Sequence, residues 1–159
     1  MKIGFLTYLL IPLMALFLSL NSCDKEENTY TKSVEGHWIY SGTKAEVYVT
    51  DPSVKQAIID YIENRYKSYQ VSYELKNDKT YYYYINYAEP LKGIYHFTSK
   101  NIYSMDDTRG VKTAVQENST ISIISDLKED VSSILDIDES VIIKANAIDS
   151  FKRGLSSEE

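Results

Sequence analysis

The sequence predicts a mainly β domain whose antiparallel strands form a barrel, a half-barrel or a sandwich, with one inserted helix and one short helix near the C-terminus. Short segments rich in β-branched and aromatic residues alternate between apolar and polar side chains, and turn residues separate them. Two other segments repeat apolar residues at helical spacing. The turn spacing gives about nine short strands, a number that suits a barrel or a sandwich.

The first two predicted strands and the inserted helix lie near the start of the folded region. Residues 36–42 and 43–49 carry aromatic and β-branched side chains, which predicts one strand in each. Asp51-Pro52 is typical of a helix N-terminus, where Asp caps free N–H groups and Pro occupies the first turn. Apolar residues then recur at helical spacing, so we predict a helix over Pro52–Tyr66 with one face toward the core.

The next segment predicts a hairpin whose turn decides which tyrosines face inward. The turn Asn77-Asp78-Lys79 joins two segments of strand pattern. A three-residue loop places Tyr81 opposite Leu75, whereas a two-residue loop places Tyr82 there and reverses every later side chain. We choose the three-residue loop. It points Tyr81, Tyr83 and Ile85 into the core and points Tyr82 and Tyr84 outward.

The rest of the chain continues the same alternation. Further segments of strand pattern lie at 91–98, 102–105, 111–116, 120–124 and 141–147. Asp106–Gly110 is predicted as a loop. Asp126, with Glu129 three residues later, resembles a capping box, so a short helix is expected before the last strand. We expect residues 152–159 to form a frayed, disordered tail.

Residues 1–22 have the pattern of a secretion signal. Lys2 precedes a nearly unbroken apolar run from Ile3 to Leu20. This run approaches the ~20 residues that span a bilayer, so a retained membrane helix is the alternative. Pro12 disfavours that helix because it removes a backbone hydrogen bond in the middle of the run.

The end of the apolar run resembles the signal peptide of bacterial lipoproteins. Leu20-Asn21-Ser22-Cys23 closes the run, and acidic residues follow at once. The resemblance implies a diacylglyceryl group on the Cys23 sulfur and cleavage before Cys23. Two or more acyl chains, of the palmitate type, are sufficient for stable anchoring. The mature protein is therefore expected to be a membrane-anchored lipoprotein without a spanning helix.

Residues 23–33 are expected to form a flexible acidic tether ahead of a domain over residues 34–151. The run Cys23-Asp24-Lys25-Glu26-Glu27 resembles the export tether with which one group of Gram-negative bacteria sends lipoproteins to the outer face of the outer membrane. That resemblance implies a surface-exposed outer-membrane lipoprotein. A plain solvated linker is the alternative.

Two short motifs resemble those of bacterial lipocalin-like lipoproteins. Gly36-His37-Trp38 is similar to the Gly-x-Trp motif near the first strand of lipocalin-like domains. Residues 75–81, followed by Gly93-Ile94-Tyr95-His96-Phe97, are similar to the hairpin and Gly-x-Tyr strand of such lipoproteins. The resemblance implies a lipocalin-like barrel in which Trp38 closes one end. Two features depart from the family, namely Lys79, where Gly is common, and the inserted helix.

Composition and motifs exclude several classes of function. With 17 basic and 23 acidic residues the net charge is −6, and no basic run exists to neutralise phosphates, so nucleic acid is not an expected partner. One Cys and two His leave no internal disulfide and no Cys- or His-rich metal site. The sequence contains no nucleophile elbow, zinc-protease or phosphate-loop motif. We therefore expect no enzyme, no cofactor and no metal.

Three isolated polar features are interpreted as structural or solvated. His37 and His96 are expected to face outward from strands without an assigned partner. Asp106-Asp107 is interpreted as a pair of solvated loop acids, with weak cation binding as the alternative. Asp136–Ser140 imitates the opening of a calcium loop, but the required Gly and Glu positions hold other residues, so a calcium site is rejected.

Tyrosine is the unusual feature, with 15 Tyr beside four Phe and one Trp. Its flat apolar face and polar tip suit a cavity lining or a wet binding surface, although Tyr is also favoured in strands. The candidate ligand contacts are Trp38, Tyr81, Tyr83, Tyr95 and Phe97, although core packing is the favoured interpretation of each. Tyr82 and Tyr84 are a candidate surface platform for a glycan or a partner.

Two functions from different classes follow from these features. The first is a non-catalytic binding module for a small amphiphilic ligand or a glycan at the cell envelope, which predicts an internal cavity. The second is a structural or interaction lipoprotein with a solid core that docks an envelope protein, which predicts an apolar surface patch. An envelope hydrolase would need a cleft with a perturbed His or carboxylate, and no motif supports it.

Overall fold

A computed structural model of the protein describes residues 33–154, which form a closed antiparallel barrel of eight strands in chain order. The strands are β1 (Gly36–Val49), β2 (Val71–Leu75), β3 (Thr80–Ile85), β4 (Leu91–Ser99), β5 (Ile102–Asp107), β6 (Gly110–Glu117), β7 (Thr120–Asp126) and β8 (Ile142–Arg153). The helices are α1 (Lys55–Asn64) and α2 (Lys128–Leu135). The prediction of a mainly β barrel with an inserted helix and a short helix near the C-terminus is confirmed.

The described part of the chain starts at Ser33, next to the predicted start of the domain. The predicted signal peptide over residues 1–22, the lipidation site Cys23 and the rest of the tether up to residue 32 lie outside the described residues, as do residues 155–159. Between residues 33 and 154, neither helix has the length and apolar character needed to cross a bilayer.

One long strand, β1, takes the place of the two strands predicted over residues 36–49. It pairs with β8 from Trp38 to Val49, and the register shifts between Tyr40 and Gly42. This shift is a β-bulge, which inserts an extra residue and bends the strand without ending it. The barrel consequently has eight strands rather than nine, because Gly42, at the predicted boundary between two strands, lies within one continuous strand.

The tyrosine hairpin has the predicted three-residue turn. Tyr81 pairs with Leu75, and the backbone N–H of Lys79 donates to the carbonyl oxygen of Lys76. Lys79 has a φ of 67°, the left-handed conformation that commonly ends a three-residue hairpin loop and that glycine adopts most easily. Tyr81 and Tyr83 are buried, as this register requires.

Gly93 allows the ring of Tyr81 to lie against the backbone of β4. The two residues are paired across β3 and β4. A Cβ atom at position 93 would lie 2.3 Å from Cζ of Tyr81 and 2.6 Å from the carbonyl oxygen of Asp106. The Gly-x-Tyr motif is therefore a packing requirement, since any side chain at position 93 displaces the Tyr81 ring.

The predicted ends of two elements differ from those of the structure. The predicted helix over Pro52–Tyr66 consists of a 3-10 turn, Pro52–Val54, followed by α1. The predicted tail begins too early, because β8 continues through Lys152 to Arg153. Arg153 Nη1 donates to the carbonyl oxygen of Glu35 at 2.7 Å, so residues near both ends of the described chain hold the barrel closed.

The helix α1 packs across the inward face of the ribbon formed by β1 and β8. Ile58 and Ile62 of α1 are fully buried in a cluster that includes Val47 of β1 and Ala145 and Ala147 of β8. These alanines alternate with outward-facing residues along β8 and share the face of Phe151, which lies in the barrel core. Their small side chains let the helix approach the sheet closely. The helix thus covers the end of β1 opposite to Trp38.

Candidate functional site

Trp38 closes the end of the barrel at which the described chain begins. Its side chain is completely buried, and Nε1 donates to the carbonyl oxygen of Val34 at 2.8 Å. The guanidinium of Arg153 covers the indole face at 4.5 Å from the ring centroid. Because its indole N–H and its ring face are both in contact with other parts of the protein, Trp38 is a packing residue, as the favoured interpretation predicts.

Three of the candidate ligand contacts, Tyr81, Tyr83 and Tyr95, are buried in the barrel core. Each phenol donates a hydrogen bond inside the protein: Tyr81 to Asp107 Oδ2 at 2.7 Å, Tyr83 to the hydroxyl of Tyr66 at 3.3 Å, and Tyr95 to the carbonyl oxygen of Lys76 at 2.6 Å. Burial raises the pKa of Tyr95 to about 12 and those of Tyr81 and Tyr83 further. They pack as neutral donors with satisfied hydroxyls.

Phe97 does not face the core as predicted, and its side chain is 65% exposed. The pairing of β3 with β4 ends at Ile94, so β4 projects past its neighbour and Phe97 has no β3 residue beside it. Its ring instead contacts Tyr103 on β5, with the centroids 5.9 Å apart. The alternation of side chains correctly places Phe97 on the same face of β4 as Tyr95. Phe97 is exposed because this part of β4 extends beyond its pairing with β3.

The candidate platform residues Tyr82 and Tyr84 lie on the outer face of β3, with ring centroids 6.5 Å apart. The hydroxyl of Tyr84 donates to Oε2 of Glu74 at 3.0 Å. The ammonium of Lys76 lies 4.8 Å from the centroid of Tyr82. Both rings therefore have polar or charged neighbours, while each remains partly exposed.

The helix-covered end of the barrel contains buried charges that the sequence did not reveal. We call these residues the charged cluster: Arg65, Asp107, Arg109, Lys112 and Asp149. Arg65 follows the last residue of α1, whereas the others lie on β5, β6 and β8 or in the turn between β5 and β6. Long-range closure of the barrel brings them together.

Asp107 is the carboxylate at the centre of one half of this cluster, and the interpretation of it as a solvated loop acid is wrong. Strand β5 extends further than predicted and places this side chain on the inward face, where it is 0% exposed. Arg109 Nη2 lies 2.5 Å from Oδ2, and Lys112 Nζ lies 3.4 Å from Oδ1. Burial favours the neutral acid, but hydrogen bonds from Arg109 and Tyr81 outweigh it and hold the pKa of Asp107 well below its usual range.

Asp149 forms the other half of the cluster with Arg65. The two side chains make a salt bridge, and Thr43 Oγ1 donates to Asp149 Oδ1 at 2.6 Å. Asp149 is buried on the inward face of β8. Burial raises its pKa, although the guanidinium of Arg65 opposes this rise. Asp149 shares one face of the strand pattern with Ala147 and Phe151. This position was the one sequence feature that could have indicated a buried charge.

A cleft of about 540 Å³ opens beside the charged cluster, and we call it the charged cleft. Tyr61, Arg65, Tyr66, Arg109, Lys112 and Leu127 are among the residues that line it. This volume lies within the range of small-molecule sites. None of the predicted ligand contacts, Trp38, Tyr81, Tyr83, Tyr95 or Phe97, belongs to its lining.

A second cleft, of about 470 Å³, lies on the outside of the barrel, and we call it the outer groove. Tyr40, Tyr69 and Tyr84 contribute to its wall together with Ile39. Tyr84, one of the two predicted platform residues, thus borders a cleft. His37 also lines this groove, and both it and His96 are exposed.

The described residues hold no group of three or more His, Cys, Asp and Glu side chains that could bind a metal ion. Comparisons of the chain with protein family models, with curated proteins and with solved structures gave no match. Function is therefore inferred from the geometry of this chain alone: a packed barrel, a charged cluster beneath α1 and a cleft beside that cluster.

Proposed function

We propose that this chain is a non-catalytic binding module for a small amphiphilic ligand or a glycan, anchored at the cell envelope through Cys23. The observation that carries the proposal is the charged cleft, whose lining combines aromatic and aliphatic side chains with largely buried cations and two exposed carboxylates. Such a mixture is typical of sites that enclose an apolar body and orient a polar group.

The walls of the charged cleft are preorganised. Lys112 and Arg109 share the buried carboxylate of Asp107, and Arg65 is held by Asp149. The rings of Tyr66 and Tyr40 contact each other edge to face, with centroids 5.5 Å apart. Side chains fixed in this way lose little conformational entropy when a ligand binds, which favours affinity.

The state of Asp107 supports a binding role without covalent chemistry, whereas burial raises the pKa of Asp149 and Arg65 opposes this rise. A general base works best when its pKa lies near the operating pH. Asp107 has a pKa far below that range and is fully engaged by two cations and Tyr81. Asp149 accepts hydrogen bonds from Arg65 and Thr43. Both acids hold the cations in position.

The position of the cleft suits an anchored receptor. The described chain begins at Ser33, whose carbonyl oxygen accepts a hydrogen bond from Arg153 at the Trp38 end of the barrel. The charged cleft lies at the other end, beneath α1. Ser33 and the charged cleft therefore lie at opposite ends of the barrel.

Lipidation of Cys23 is tested with the full chain expressed in a Gram-negative host fed an alkyne analogue of palmitate. We expect label on the wild-type protein and its recovery with membranes, and no label on the Cys23→Ser variant, because a hydroxyl does not replace the acylated thiol. The double variant Cys23→Ser with Ser33→Cys restores a thiol outside the motif and should also stay unlabelled. Unlabelled wild-type protein, or label on the double variant, would contradict the anchor.

Binding in the charged cleft is tested by calorimetric titration with decanoate, decanol and decyl maltoside. We expect saturable binding of at least one probe, weakened at least about tenfold by Val111→Trp, because Val111 lines the cleft and a large ring there fills it. Val111 is 69% exposed, so the substitution should leave the melting temperature within about 3 °C.

The matched control is Ile143→Trp, which introduces the same ring at an exposed strand position outside the charged cleft. It should leave the affinity unchanged. If none of the three probes binds, or if both tryptophan variants weaken binding equally, the charged cleft is not an amphiphile site.

The alternative function is a structural or interaction lipoprotein that docks an envelope protein. The packed core of interlocking tyrosine rings and the outer groove support it, because Tyr69 and Ile39 are about half exposed beside Tyr84. Absence of binding by every decyl probe would favour this function over the first.

A further inference from the structure

The charged cluster holds more cations than carboxylates. Arg65 is paired with Asp149, whereas Arg109 and Lys112 share Asp107. Arg109 is the closer of those two partners and also covers the ring of Tyr83, 4.0 Å from its centroid. Lys112 has the weaker contact and is nevertheless only 13% exposed. The inner end of the charged cleft is therefore positive, with Lys112 as its least neutralised group.

The surroundings of Lys112 disfavour its charge. Burial lowers the pKa of Lys112, and the guanidinium of Arg109 lowers it further, while the carboxylate of Asp107 opposes the shift. Arg65 adds to the repulsion from farther away. An additional anion near the ammonium would relieve both effects, because it would supply a hydrogen-bond acceptor and an opposite charge.

Arg65 also has unused hydrogen-bonding capacity. Its Nε atom is buried and has no hydrogen-bond partner among the described residues. Buried donors of this kind are uncommon in folded proteins. The guanidinium lies 4.7 Å from the ring centroid of Tyr66, so the arginine, the ring and the cleft are adjacent.

Two acidic residues at the mouth limit where an anion can lie. Asp126 and Asp130 line the charged cleft and are exposed. The carboxylate of Asp126 accepts a hydrogen bond from the backbone N–H of Lys128 at 2.9 Å. Solvent screens exposed charges more than buried ones. The outer end therefore repels anions weakly, and the inner end attracts them.

We infer that the charged cleft selects a monoanionic amphiphile, a carboxylate with an apolar body. Its carboxylate lies at the inner end, against Lys112 and Arg65, and its body lies along Tyr61, Tyr66 and Leu127. A single negative charge matches the single excess cation of the cluster. This inference rests on the proposed function and adds to it the charge and head-group chemistry of the ligand.

The test compares decanoate with decanol, which share a chain and differ in head-group charge, by calorimetric titration of the purified protein. Decanoate is expected to bind the wild type at least about tenfold more tightly than decanol. Lys112→Met should abolish this preference while leaving decanol affinity within about twofold, because methionine keeps the apolar stem without the charge. Lys112→Arg should retain the preference.

The matched control is Lys144→Met, since Lys144 is a lysine of β8 outside the cleft lining that pairs with Glu46. It should leave the preference for decanoate intact. Equal affinities of wild type for decanoate and decanol would overturn the inference but leave the binding function standing. Loss of the preference in Lys144→Met as well as in Lys112→Met would assign it to overall charge and also overturn the inference. Absence of binding by both probes and by decyl maltoside would overturn the amphiphile-binding function on which the inference rests.

Discussion

Replacement of Trp38 by alanine is expected to lower the free energy of unfolding by about 4 kcal/mol. The substitution removes a completely buried indole and leaves a cavity at the closed end of the barrel. It also leaves the carbonyl oxygen of Val34 without its donor and the guanidinium of Arg153 without the ring beneath it. Urea unfolding is monitored by circular dichroism. Fluorescence does not serve here, because the substitution removes the only tryptophan of the sequence.

Two companion variants separate packing from a general effect of substitution in β1. Trp38→Phe keeps most of the buried apolar area and should lose about half as much stability as the alanine variant. Ile39→Ala alters the next residue, whose side chain is 49% exposed, and should lose less than about 1 kcal/mol. Equal losses for Trp38→Ala and Ile39→Ala would mean that the indole does not stabilise the core.

Asp107→Asn is expected to lower the free energy of unfolding by about 3 kcal/mol near neutral pH. Asparagine has the same shape and can still accept from Tyr81, but it removes the negative charge between Arg109 and Lys112. Two largely buried cations then face each other without a counterion. Chemical denaturation of wild type and variant measures the difference.

The loss caused by Asp107→Asn should depend on pH. Because the folded-state pKa of Asp107 lies below its ordinary value of 3.8, its stabilising effect is complete above that value and declines as the pH falls toward the folded-state pKa. The stability difference between wild type and variant should therefore be constant from pH 5 to 7 and shrink below about pH 4. Asp106→Asn, at the exposed neighbouring position, should show little loss at any pH. A difference that grew on acidification would contradict the assigned ion pairs.

Features that depend on local pattern were predicted well from the sequence. The register of the tyrosine hairpin follows from its turn, and Tyr81 indeed pairs with Leu75. The bulge at Gly42 was missed, since a glycine inside a strand and a glycine in a turn look alike in a single sequence. In β6, alternation alone does not say which face is inward: Val111 is exposed, whereas Gln116 is buried.

The candidate site was not predicted, because its residues meet only through the closed fold. Arg65 and Asp149 are 84 positions apart in the chain, and no local spacing relates them. Asp107 lies within the predicted loop over residues 106–110, and its burial depends on strand β5 continuing further than its composition indicated. The tyrosines that drew attention as ligand contacts are instead the core that supports the cluster, as the bond from Tyr81 to Asp107 illustrates.

The pairing of β1 with β8 also determines how this domain can fold. Trp38 pairs with Arg153, so the first and last strands become neighbours only after the intervening chain is in place. Contacts between residues so distant in sequence require closure of a long loop before they contribute, and domains dominated by such contacts fold slowly. The helix α1 lies early in the sequence, between β1 and β2, yet it packs partly against alanines of β8. During synthesis Ile58 and Ile62 can already pack against Val47 of β1, but the side of them that faces these alanines stays uncovered until the final strand emerges. The growing barrel has two open edges for the same interval.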